Sequence, residues 1–230
     1  MVERTPVGSG IPDVYLRFAK QLQGTDVVIS FNWDCLLEAA LSQVGRFYSY
    51  SFEGNAVPLA KLHGSIDWRL GLPDTLSLPW QPVGFDDGLM QTPIHSCSEL
   101  RLLNAWNGAG RGPLGEIQPL IVLPGYGKAF DVRQLAWLWY KPEFAFGSTH
   151  DVFIIGLSLS RDDFIIRSLF LHNLPYVTSM SGVPGRSIYI INPDPATRDN
   201  YAFLLGLPFV RFLCEPFSEA HVAIMEKCLP

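Results

Sequence analysis

Four short stretches of the chain carry side chains suited to chemistry. In the first, Asn32 and Asp34 directly follow the apolar run Val27-Val28-Ile29-Ser30-Phe31. Asparagine is neutral and polar, so at that point it can orient a ribose hydroxyl or a water without adding charge. Asn32 and Asp34 are also good helix caps, and that reading stands beside the chemical one. In the second stretch, His63 lies within Lys61-Leu62-His63-Gly64-Ser65. Imidazole titrates where a general base is useful, and Gly64 permits a tight turn or a close backbone approach. A lone histidine is more commonly structural, and His95, His150, His172 and His221 have no comparable setting. In the third, Gly156-Leu157-Ser158 follows an apolar run and precedes a helical pattern. Glycine there lets the backbone approach a phosphate, and a helix N-terminus favours negative charge. In the fourth, Asn192 and Asp194 end another apolar run, where they either bond a ribose or shape a Pro-containing turn. Lys128 reads as a solvated surface charge rather than a phosphate contact.

The elements that must position these residues follow from apolar periodicity. Tyr15, Leu16, Phe18, Ala19 and Leu22 fall at helical spacing within Pro12 to Gln23, and Gly24 ends the run. Val27 to Phe31 lacks polar alternation, which suits a strand buried on both faces. A helix follows with Leu36, Leu37, Ala40, Leu41 and Val44 on one face and Gly45 closing it. From about residue 69 to 118 the chain is dense in Pro, Gly, Asp, Ser and Trp. That composition predicts an irregular, loop-rich insertion with one short helix near Ser98 to Trp106. Leu120 to Leu123 reads as a strand stopped by Pro124-Gly125, and Val132 to Phe146 as a helix interrupted by Pro142. Val152 to Ile155 is a fully apolar strand, Asp162-Asp163 opens a helix, and Ser187 to Ile191 is another strand. A short helix near Asn200 to Leu205, a strand near Phe209 to Leu213 and a helix from Ser218 follow. Buried strands alternating with helices predict an α/β fold, a mainly parallel sheet with helices on both faces. Ligands of such sheets bind outside the carboxyl ends of the strands. The clusters at Asn32, Pro124 to Lys128, Gly156 and Asn192 each directly follow a strand and His63 follows a short extended stretch from Val57, so all of them are expected at one crevice.

Composition narrows the classes. The 230 residues are 48% hydrophobic and 17% charged, with a net charge of -5, so one domain spanning 1–230 can bury a sizeable core. No basic run stands out, which argues against direct nucleic-acid binding. No apolar stretch approaches the roughly 20 residues a membrane helix needs, and no apolar signal core follows Met1. A cytoplasmic protein is expected. Cys35, Cys97, Cys214 and Cys228 form no C-x-x-C pair, so no zinc site and no metal is expected.

Taken together, the motifs resemble those of the sirtuin-like domain family, and most closely its bacterial branch of NAD-degrading antiphage-defence proteins. Ile29-Ser30-Phe31-Asn32-Trp33-Asp34 with Leu36-Leu37-Glu38 is similar to the family's strand–Asn-x-Asp–helix motif. Lys61 to Trp68 resembles its Leu-His-Gly motif, and Ile154 to Leu159 with Asp162-Asp163 its Gly-Tyr/Thr-Ser-Leu segment. Ile190-Ile191-Asn192-Pro193 resembles the later strand whose Asn meets the adenosine half of NAD. The four segments keep the family's order from Val27 to about Gly206. Two features depart from the pattern. The two-pair cysteine zinc module of the deacetylating members has no counterpart. No strand precedes Gly8-Ser9-Gly10-Ile11-Pro12-Asp13 to carry the family's Gly-rich loop, so the chain is read as truncated at its start or as a reduced subgroup.

The resemblance implies a Rossmann-like fold that takes NAD as a substrate and cleaves its nicotinamide–ribose bond, without zinc. Asn32 and His63 match the catalytic Asn and His, and Asp34 the nearby acidic residue. Gly156, Ser158 and Asn192 match positions that hold the phosphates and the adenine ribose, and Asp194 lies beside them. Phe31 and Trp33 flank the nicotinamide, although Trp33 is equally readable as core. Two alternatives stand beside this NAD+ glycohydrolase: a module that binds NAD or ADP-ribose without turnover, and a structural or assembly domain. A homo-oligomer or a fused or companion sensor protein fits the same setting.

Overall fold

The computed structural model describes residues 10–50, 52, 54–70, 80–82, 94–97, 119–121, 139, 146, 151–160, 162–179, 187–205 and 210–228. The described chain is α/β, with parallel sheets and helices. Strands β1 (Val28–Ser30), β2 (Tyr48–Ser49) and β3 (Val57–Lys61) form a parallel sheet in the order β1-β3-β2. Val28 stands opposite Leu59 and Ser30 opposite Lys61. Further along the chain, β4 (Gly64–Leu70), β5 (Trp80–Pro82), β6 (Ile94–Cys97) and β7 (Pro119–Ile121) form an antiparallel sheet in the order β5-β6-β4-β7. A second parallel sheet, β10-β9-β8, joins β8 (Asp151–Ile155), β9 (Ser187–Ile191) and β10 (Val210–Leu213). Five helices are described in full: α1 (Asp13–Gln21), α2 (Leu36–Gln43), α3 (Phe164–Ser179), α4 (Ala196–Leu205) and α5 (Glu219–Cys228).

One apolar cluster runs through all three sheets. It takes Leu59 and Ala60 from β3, Trp68 from β4, Ile154 from β8, and Ile188 and Ile190 from β9. Helix α3 adds Ile166, Leu169 and Phe170, and α4 adds Tyr201. β3 and β9 each have a neighbour on both sides, and β3 is buried along its whole length and β9 at all but its first residue. Largely apolar runs such as these suit a strand covered on both faces, with Lys61 of β3 the exception. A smaller cluster, Ala19, Leu22, Ala40, Leu41 and Val57, packs α1 onto α2. Helix α2 ends where the periodicity stops: Gly45 takes φ +73, and the Arg46 N–H returns to the Leu41 carbonyl at 2.9 Å.

Apart from β2, which the sequence does not signal, the parallel strands and most helices lie where the apolar patterns place them. The differences fall in the middle of the chain. The span from 69 to 118 is expected to be irregular, yet its described residues are strands: the end of β4, then β5 and β6. In β6, Ile94 is followed by polar His95 and Ser96, too short an alternation to stand out from a loop, and Pro82 marks β5 as an edge. β7 is the expected strand at Leu120, but it runs antiparallel to β4 instead of joining a parallel sheet. Of the helix expected over Val132 to Phe146, Trp139 and Phe146 are described, both helical and buried. The helix expected at Ser98 to Trp106, the Pro124-Gly125 stop and Lys128 lie outside the described residues. No described helix is long and apolar enough to cross a membrane.

Candidate functional site

Parallel pairing of β1 with β3 sends Asn32 and His63 off the same end of one sheet. Ser30 and Lys61 are register partners, and the Leu62 N–H still donates to the Ser30 carbonyl at 3.1 Å beyond the strands. Leu62 and His63 then form the turn into β4, where Gly64 adopts φ +78. Glycine is required at that point because a left-handed backbone is costly for any residue with a Cβ.

His63 is buried, 5% exposed, with the Phe31 ring edge-on at 5.7 Å and the Trp139 ring tilted at 6.0 Å. Burial lowers its pKa below the ordinary 6.5, while the Asp163 charge and a hydrogen bond with the Phe31 backbone pull the other way. The ring is therefore neutral at pH 7. A neutral imidazole keeps a lone pair on one ring nitrogen, which is what a base requires.

Asn32 is exposed, and its backbone N–H donates to Ser30 Oγ at 3.2 Å. It does not cap α2. The N-cap position is Cys35, and Asp34 just before it shapes the turn, its Oδ1 accepting from the Leu36 N–H at 2.9 Å. Trp33, between them, is half-buried, and its Nε1 has no hydrogen-bond partner among the described residues.

A second group gathers where β8 and β9 end. Ile155 and Ile191 are register partners, and the Gly156 N–H donates to the Ile191 carbonyl at 2.9 Å. Gly156 has φ +71 and would meet nothing within 4 Å if it carried a Cβ. Its backbone conformation, not crowding, demands glycine. Ser158 is exposed, and its carbonyl accepts from Asn200 Nδ2 at 3.1 Å. Asn192 is buried, its Oδ1 bonded to the Asp194 N–H at 2.9 Å. Asp194 in turn caps α4 by accepting from the Ala196 N–H at 2.9 Å. Beyond these turns lies a cavity of about 370 Å³ lined by Ile190, Arg198, Tyr201, Val210, Phe212 and Cys214, among others.

Asp163, which the sequence marks only as a helix opener, links the two groups. Its Oδ1 accepts from the Ile166 N–H at 3.3 Å at the start of α3, and its charge acts on His63. Phe170 of the same helix meets the Phe31 ring at 6.5 Å. The end of the β1 and β3 sheet and the loop after β8 thus approach each other at His63.

Sequence reasoning passes over Lys61 and Glu38 altogether. Lys61 is 1% exposed, and its Nζ lies 2.8 Å from Glu38 Oε1. Tyr50 donates to the same carboxylate oxygen at 3.1 Å. The signal was present in Val57-Pro58-Leu59-Ala60-Lys61-Leu62, where a charge interrupts a run that has no exposed face. Among the described residues no three His, Cys, Asp or Glu side chains gather as a metal site would need. A scan of the chain against protein-family models gives no match, and a search of the curated proteins gives none either.

Proposed function

We propose that the chain is a Rossmann-like, sirtuin-like NAD+ glycohydrolase of the cytoplasm, working in bacterial antiphage defence. Four ordered motifs support this reading, and one piece of geometry carries it: a buried His63 packed against the ring of Phe31, the residue immediately before an exposed Asn32. The reaction is NAD+ and water giving nicotinamide, ADP-ribose and a proton. The ring nitrogen of nicotinamide keeps the electron pair of the broken bond and leaves neutral, so the site needs no acid for the leaving group.

What the residues must supply is placement and a base. Asn32 orients the ribose and the attacking water with a side chain that carries no charge. His63 takes the proton from that water or from a ribose hydroxyl, a role worth about 100- to 10,000-fold. Phe31 and Trp139 keep bulk water from the imidazole, and Phe31 offers a face to the nicotinamide. Asp34 fixes the turn that carries Asn32. Gly156, Ser158 and Asn192 hold the phosphates and the adenine ribose, with Asp194 shaping the turn beside them.

Incubating the protein with NAD+ and measuring free nicotinamide tests the proposal, with Asn32→Ala as the control. Release by the parent and none by the variant is the expected result. A second reading, an NAD or ADP-ribose module without turnover, draws on the cavity of about 370 Å³ beside the β9 and β10 ends. That volume lies within the range of small-molecule sites. A thermal shift with ADP-ribose but no nicotinamide release would select it. Neither response would leave a structural or assembly domain.

A further inference from the structure

The turn carrying Asn32 is held from beneath by one buried ammonium. Lys61 Nζ donates to the Asp34 carbonyl, to the Trp33 carbonyl at 3.5 Å and to Glu38 Oε1 at 2.8 Å. The Trp33 carbonyl is also gripped from β4, by the Ile66 N–H at 2.9 Å and Ser65 Oγ at 3.2 Å. Every one of these donors belongs to the segment 61–66, the same segment that carries His63. Glu38 is in turn anchored by Tyr50 at 3.1 Å.

Burying an ammonium and a carboxylate is unfavourable beside an apolar pair of the same volume, even when the pair is well bonded. Lys61 ends a strand whose other members are Val57, Pro58, Leu59 and Ala60, so an apolar residue would serve the core at least as well. Only a charge with several donors can hold two successive carbonyls and a carboxylate at once.

We propose that Lys61, braced by Glu38, is a positioning residue: it locks the Asn32–Asp34 turn against the turn that carries His63. The proposal rests on the reading that Asn32 and His63 act on one ligand. Its structural half can be tested without that reading.

The test compares the parent with Lys61→Arg and with the double variant Lys61→Met/Glu38→Gln, which leaves no unpaired buried charge. Hydrogen exchange is followed at the amides of residues 32–36 and at Ile66, whose N–H reports directly on the Trp33 carbonyl. The double variant is expected to melt cooperatively and to exchange at least tenfold faster at these amides, with α1 and α5 unchanged. On NAD+, it is expected to lose at least tenfold in kcat with KM held within about twofold, and Lys61→Arg to recover most of that loss. A parent that releases no nicotinamide removes the proposed function, while the exchange result still decides the clamp. Unchanged exchange at Ile66 would overturn the clamp. Faster exchange spread evenly over the molecule, or a double variant that fails to fold, would also overturn it by making the pair a general stabiliser. An equal change in kcat and KM would refute its role in turnover.

Discussion

The two strand ends that meet at His63 are built on opposite principles. Where β1 and β3 end, the backbone is pinned by its neighbours and the Asn32 side chain stands exposed. Where β8 and β9 end, the polar side chains are themselves the pins. Asn192 and Asp194 each spend an oxygen on a backbone N–H two residues ahead, and Asp163 spends one at the start of α3. A group bonded to its own backbone shapes a turn more than it reads a ligand. Under the proposed function the first end carries the chemistry, and the second combines turn-shaping side chains with the positions assigned to the phosphates and adenine ribose.

The sharpest way to break that comparison is to truncate one side chain at each end. Asn32→Ala is expected to cut nicotinamide release at least 100-fold, about 2.7 kcal/mol of transition-state stabilisation. Its melting temperature should stay within the scatter of surface substitutions, about 0.5 kcal/mol. Asp194→Ala should do the reverse, costing about 0.5 to 2 kcal/mol as a lost cap and leaving turnover per folded molecule nearly intact. Turnover and thermal melts on both proteins decide it, and exchanged phenotypes would invert the comparison. His63→Ala is less informative. It empties a buried space between Phe31 and Trp139, so it should lower stability as well as rate.

For stability the largest effect is expected at the charge beneath the first end. Glu38→Ala leaves Lys61 buried without its carboxylate, a change expected to cost about 3 to 5 kcal/mol. Denaturant unfolding measures it. A cost below about 1 kcal/mol would mean that water reaches the pair. Gly156→Ala belongs to the second end and should cost about 1 to 2 kcal/mol. There the φ of +71 is the whole penalty, since no atom lies within 4 Å of the added methyl.

The sequence makes the two ends legible to different degrees. Val27 to Phe31, Val152 to Ile155 and Ser187 to Ile191 are mostly apolar runs, and all three contain strands of parallel sheets. Asn32, Gly156 and Asn192 follow them by simple adjacency. The shared end of β1 and β3 follows from the parallel rule. What sequence does not disclose is which polar atoms are already occupied. Asn32 and Asp34 read alike as caps, and only the structure shows that Cys35 holds the cap position while Asp34 bonds the Leu36 N–H. Lys61 draws no reading of its own because its partner, Glu38, is 23 residues away on another element. The antiparallel sheet is hidden for a related reason. β4, β5 and β6 are joined by pairings across long gaps, and their short segments carry too little periodicity to show a face.

The smallest expected effect concerns the proton on His63. Burial holds its folded pKa below 6.5, so the folded imidazole refuses a proton that the unfolded chain accepts. As pH falls below about 6.5, the unfolded state gains protons first and the protein loses stability. The loss levels off once the folded ring also protonates, and above about 6.5 the group contributes no pH dependence. Carboxylates titrate in the same acidic range, so the comparison must be between the parent and His63→Gln. The parent's melting temperature should fall more steeply than the variant's as pH drops from about 6.5 towards 5. Equal slopes would mean that the ring is not held neutral by burial. Nicotinamide release should agree, staying level from pH 8 to about 6.5 and declining only below, because a base with a lowered pKa remains unprotonated across that range. A decline that begins above pH 6.5 would assign the rate to some other group and detach His63 from the base role.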